Sequence, residues 1–90
     1  MQKNKSQIQK TIYSREYAVV LRLLKAARKE SGVTQVQLAE RLGQTQSFVS
    51  KVERGESRLD IVQLRTILHE FGVTLPQFSE RMERELAKRS

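Results

Sequence analysis

Gly43 falls where one helical pattern ends and another begins, in the stretch Thr34–Gly55, TQVQLAERLGQTQSFVSKVERG. Thr34 and Gln37 have the spacing of a capping box, in which the threonine oxygen and the glutamine side chain satisfy reciprocal backbone groups. The spacing predicts a helix from Gln35, with Val36, Leu38, Ala39 and Leu42 as its apolar contacts. A glycine can take the left-handed conformation that closes a helix and turns the chain sharply, and Gly43 is placed to do so. Thr45 then caps a second helix, expected to run to about Arg54 and to stop at Gly55. The unit is two short helices joined by a tight turn.

Advancing about 100° per residue sorts the second helix into two faces. Val49 and Val52 share one, with Phe48 at its edge; Gln46, Ser47, Ser50, Lys51 and Arg54 share the other, with no acid and no large apolar group. A merely solvated face ordinarily mixes in Glu or Asp. These side chains suit the edges of base pairs: glutamine bonds adenine at two atoms, serine reaches a base or a phosphate, and lysine and arginine suit guanine or phosphate. An exposed polar helix is the competing reading of this face taken alone. Phe48 either fills the gap between helices, as its place near the core favours, or touches a thymine methyl.

The order T-Q-x-x-L-A-E-R-L-G followed by Q-S-x-V-S-K-V-E-R-G resembles the helix-turn-helix of the phage repressor and Cro family, the XRE type. Thr34, Gln35, Leu38, Ala39, Leu42, Gly43, Gln46, Ser47, Val49, Val52, Glu53 and Gly55 fall on its pattern, and the similarity extends from about Tyr17 to Phe78. The resemblance implies an all-α, five-helix, lambda-repressor-like DNA-binding domain, expected over residues 13–88, with the helix-turn-helix at about 34–55. Within it the second helix enters the major groove. Gln46, Ser47, Ser50 and Lys51 are then the candidates for base contacts. Gln35, at a helix N-terminus whose amides favour anions, is expected to anchor a phosphate with its side chain. Thr45 and Arg54 are further backbone candidates, and Gln44 suits either kind of contact. The family places the loop after Gly55 against the DNA backbone, which adds Ser57 and Arg58; Glu56 must point away from phosphate or face a base donor. The family also pairs an arginine at the place of Arg28 with a glutamate at the place of Glu53, so these two are expected to form a structural ion pair.

The flanking segments supply three more helices. Ser14 is a plausible cap for a helix from Arg15 to Glu30 or Ser31, with Gly32 at its end. Its face of Tyr17, Val20, Leu21, Leu24, Ala27 and Arg28, widened by Val19, Leu23 and Ala26, is too broad for one neighbour. It requires the core and a second element, either the C-terminal helix or a partner chain. Asp60 and Gln63 form another capping box, and Ile61, Leu64, Ile67, Leu68 and Phe71 are the expected buried face of the helix that follows. Val62 lies off that face, as an isolated exposed valine or as part of a dimer contact. Thr74 and Gln77 cap the last helix, with Pro76 in its first turn and a narrow stripe of Leu75, Phe78, Met82 and Leu86. Residues 1–12 hold three lysines and no acid, and are expected to form a flexible basic arm. It either lies along DNA or is a solvated tail, which the lack of arginine favours.

Charge and inventory set the remaining limits. Of the formal charge of +7, residues 1–30 carry +6, with eight bases against two acids. A positive field attracts polyanions without choosing among them. With no cysteine and one histidine, neither a thiolate zinc site nor a histidine cluster is available, and no nucleophile, paired carboxylates or phosphate-cradling loop suggests an enzyme. No cofactor is expected. No apolar run approaches the ~18–20 residues of a membrane span and no signal-peptide core opens the chain, so a cytoplasmic protein is expected. One such module offers few base contacts, so a homodimer on a partly palindromic double-stranded DNA site is expected, as a repressor or autoregulator of transcription. The alternative is an antitoxin or protein-interaction module with a small protein partner, using DNA binding for autoregulation.

Overall fold

The computed structural model describes residues 15–88, which form five α-helices and, among the described residues, no strand. They are α1 (Arg15–Glu30), α2 (Gln35–Leu42), α3 (Gln46–Glu53), α4 (Ile61–Glu70) and α5 (Leu75–Lys88). The expected basic arm and the Ser14 cap lie outside the described residues.

The helix starts are fixed locally. Thr34 Oγ1 accepts from the Gln37 amide at 3.0 Å while Gln37 Oε1 accepts from the Thr34 amide at 2.9 Å. The same reciprocal pair joins Asp60 with Gln63, at 2.7 and 2.9 Å, and Thr74 with Gln77, at 3.3 and 2.9 Å. Each satisfies two groups that a helix start otherwise leaves to water. Gly43 closes α2 at φ 66°, and its amide donates to the Glu40 carbonyl. This turn lets α2 and α3 pack against each other.

The core is one cluster to which every helix contributes: Val19, Leu23, Leu24 and Ala27 from α1, Leu38 and Ala39 from α2, Val49 and Val52 from α3, Ile67 and Leu68 from α4, and Phe78 from α5. Leu75, Met82 and Leu86 are partly buried against it. The second element that α1 requires is therefore α5, and two ion pairs bracket that contact, Arg22–Glu85 at 3.0 Å and Arg81–Glu30 at 3.3 Å.

Two apolar positions depart from the expected pattern. Ile61, assigned to the buried face of α4, is 66% exposed, and Val36, expected to give α2 an apolar contact, is 50% exposed. Ile61 is the first residue of its helix, a full turn before the part of α4 that the core covers, so sharing a face with Leu64 and Leu68 does not bury it. Val36 lies in the first turn of α2, on the side away from Leu38. Val62 is 68% exposed, as its place off the face requires.

Candidate nucleic-acid interface

Each end of α3 is held. Thr45 Oγ1 accepts from the Phe48 amide at 3.1 Å, and after Glu53 the chain folds back so that the Glu56 and Ser57 amides both donate to the Lys51 carbonyl, at 2.8 and 3.3 Å. Gly55, at φ 81°, makes that reversal possible; a Cβ there would stand 2.9 Å from Leu21 Cδ1. At a rise of about 1.5 Å per residue the eight residues of α3 span roughly 12 Å, and the diameter of a helix with its side chains, about 10–12 Å, matches the width of a B-DNA major groove.

The inward side of α3 is Val49 and Val52, both buried. Phe48 is half-buried and packs against the same cluster, beside Leu38, Ile67 and Phe71, so it fills the gap between helices. On the outward side Gln46, Ser47 and Lys51 are exposed and Ser50 is half-exposed, with Gln44 and Thr45 exposed just before the helix and Arg54 and Arg58 exposed just after it. Among these candidates the structure joins Gln46 to Gln35 and Ser50 to Arg54 by hydrogen bonds. Ser57 is half-buried in the loop between the two arginines.

Behind this surface lies a network of buried charge. Arg28 Nε donates to Glu53 Oε2 at 2.6 Å and its NH2 to Oε1 at 3.2 Å, while NH1 donates to the Val33 carbonyl at 2.9 Å. Their side chains are 9% and 6% exposed, so the expected ion pair forms as a fork that leaves no buried side-chain polar atom unsatisfied among the described residues. It joins the end of α1 to the end of α3.

Gln35 extends that network in a way the sequence reading did not anticipate. Its Nε2 donates to Glu53 Oε1 at 2.9 Å, and its Oε1 accepts from Gln46 Nε2 at 3.2 Å. The side chain expected to anchor a phosphate here links the buried ion pair to the first residue of α3. The Gln35 backbone amide is the first of α2, where a helix start leaves N–H groups without an intrahelical partner. The chain Arg28, Glu53, Gln35, Gln46 runs from the core to the surface and fixes the orientation of a candidate base-reading amide.

Arg54 is also engaged. Its Nε and NH2 donate to the two oxygens of Glu56 at 2.8 and 3.2 Å, and its NH1 donates to Ser50 Oγ. The hydrogen bond from Arg54, with its charge, holds the Glu56 carboxyl below the usual carboxylate range, and the same contact raises Arg54. Glu56 therefore turns onto its neighbour and pairs with a candidate backbone-contact cation.

A helix-turn-helix family model matches residues 24–78, more than half of the chain. The chain belongs to the XRE family of helix-turn-helix proteins. The solved structure of an XRE-family like protein from Pseudomonas syringae pv. tomato str. DC3000 is similar to it, with 38% sequence identity and a TM-score of 0.77 over 87% of this chain and 95% of that one. No curated protein matches. Membership of the XRE family makes the protein a DNA-binding regulator of transcription. Among the described residues no helix is long and apolar enough to cross a membrane.

Proposed function

We propose that this XRE-family protein reads a specific double-stranded DNA sequence with α3 in the major groove, as a dimeric repressor or autoregulator on a partly palindromic operator. The observation that carries the reading is the acid-free outward side of α3, whose first glutamine is held by Gln35 while the helix itself is anchored through Glu53 to Arg28. Gln46, Ser47, Ser50 and Lys51 reach base edges. Thr45, Arg54, Ser57, Arg58 and the Gln35 amide take phosphates on either side, and Gln44 serves at the boundary. A preset glutamine costs less ordering when it meets adenine, so orientation in the free protein favours affinity.

Two such modules place their recognition helices about 34 Å apart, one turn of DNA, and this spacing dictates a symmetric site. The test is selection from a random duplex library, followed by titration of the enriched sequence against a scrambled duplex at two salt concentrations. A two-part symmetric site is expected, with Gln46→Ala or Lys51→Ala relaxing the choice of base at particular positions. Equal, weak binding of both duplexes would sink the proposal.

A further inference from the structure

α1 shares with α3 an outward side that carries cations and no acid. Advancing about 100° per residue places Arg15, Ala18, Arg22, Lys25 and Lys29 within an arc of about 80°, and all five are exposed. The buried residues of the helix, Val19, Leu23, Leu24, Ala27 and Arg28, lie on the opposite part of the wheel. Glu16 and Glu30, the exposed acids of α1, fall about 60° or more outside the arc, and Glu30 is turned onto Arg81. The other helices differ: α2 exposes Glu40 beside Arg41, α5 exposes Glu80 and Glu83 among its bases, and α4 exposes one arginine.

Within the stripe Glu85 holds Arg22 at 3.0 Å, whereas no hydrogen bond or ion pair among the described residues engages Arg15, Lys25 or Lys29. Lys25 and Lys29 are four positions apart, where like charges repel at a cost to the helix that an anion would remove. The chemistry of the arc selects the anion. A protein partner needs an apolar centre to pack on, and a helix lying on a membrane needs large apolar or aromatic side chains beside its bases; the arc offers only Ala18. Reading bases needs side chains with donors and acceptors together, and the arc has none. A phosphate backbone asks only for cations.

Position favours the duplex that α3 reads. Leu21, about 40° round the helix from Lys25, lies against Gly55 and lines a recess of about 250 Å³ between α1 and α4 to which Leu59 also contributes. The stripe therefore borders the loop that carries Arg54 and Arg58. We propose that Lys25 and Lys29, with Arg15, form a second phosphate track, which extends the grip on DNA beyond the bases that α3 reads and is indifferent to their sequence. The track rests on the operator reading above for its duplex, but not for its cations.

The test titrates the full chain with the selected operator duplex and with a scrambled one across a range of salt, and compares Lys25→Gln with Lys29→Gln in one variant. Glutamine is as good a helix former as lysine, so this variant should melt like the wild type. The slope of log K against log salt should become shallower by about 2 on both duplexes, with about tenfold or more loss of affinity and an unchanged preference for the operator. Lys25→Arg with Lys29→Arg should keep the wild-type slope. Arg65→Gln with Arg84→Gln, which removes as much charge from α4 and α5, should alter it far less. Hydroxyl-radical footprinting should show backbone protection reaching past the symmetric site with the wild type and shrinking to it with the glutamine variant. An unchanged slope, an equal loss from the Arg65 and Arg84 pair, or capture of a second duplex with no added protection on the first overturns the track. A slope that falls as described in a chain that selects no sequence keeps the track and removes the operator reading. A selected operator whose binding ignores Lys25 and Lys29 does the reverse.

Discussion

Arg28 carries a charge into a core otherwise made of aliphatic and aromatic groups, and it is tolerable there because Glu53 and the Val33 carbonyl take its donors. Removing one partner leaves the other charge buried and unmatched, which costs about 3–5 kcal/mol. Glu53→Ala should therefore lower the melting temperature by roughly 12 °C or more, followed by circular dichroism. Replacing both, as Arg28→Met with Glu53→Leu, should restore most of that stability while loosening Gln35 and Gln46, so that specificity falls although the fold survives. Recovery of stability with unchanged base preference would show that the network does not orient Gln46. At Glu56 the opposite effect is expected. Glu56→Gln releases Arg54 and removes an acid near the phosphates, so affinity should rise alike for operator and scrambled duplexes, with the slope of log K against log salt steeper by about 1. Because Arg54 holds the Glu56 carboxyl below the usual range, the effect should be constant between about pH 6 and 8. A titration that shows it fading within that interval refutes the masking role.

At the scale of elements, the glycine turns make a sharper comparison than the caps. Gly43 and Gly55 both have positive φ, but a Cβ at Gly43 meets nothing within 4 Å, while one at Gly55 meets Leu21. Gly43→Ala should cost only the left-handed conformation, about 1–2 kcal/mol. Gly55→Ala should cost that and a shift of Leu21, whose far end has the α1–α4 recess to move into; chemical denaturation of the two variants should rank Gly55→Ala the more harmful. Caps and turns of this kind were legible in the sequence because they are local: three capping boxes and the Gly43 closure depend on residues within four positions of each other. The Arg28–Glu53 pair was legible only through family resemblance. Gln35 and Arg54 have partners that the sequence did not reveal, since a hydrogen bond from Gln35 to Glu53 spans eighteen positions, and the contact of Arg54 with Glu56 forms only once the loop folds back. Periodicity likewise gave the direction in which Ile61 points, but not that the core ends before reaching it.

Across the whole molecule, α5 closes the domain over α1, and the two kinds of contact that hold it there differ in what they contribute. Phe78 is buried in the core, and Phe78→Ala should cost about 3–5 kcal/mol, much of the stability available to a domain of this size. The bracketing ion pairs are exposed to solvent and are screened by salt, so Glu85→Gln should shift the melting temperature far less. Their mark is in the pH dependence. The hydrogen bonds from Arg22 and then Lys88, with the charge of Lys88, hold the Glu85 carboxyl below the ordinary carboxylate range. A carboxyl lower in the folded than in the unfolded chain contributes fully above the unfolded value, about 4.3, and its contribution is lost as pH falls through the folded value. The difference in stability between wild type and Glu85→Gln should therefore be constant from neutrality to about pH 5 and shrink below it. Glu56 has the same sign but sits in the loop after α3, so its contribution should vanish over the same acid interval without affecting how α5 docks. If the Glu85→Gln difference instead grows on acidification, α5 is held in place by some contact other than the one to Arg22.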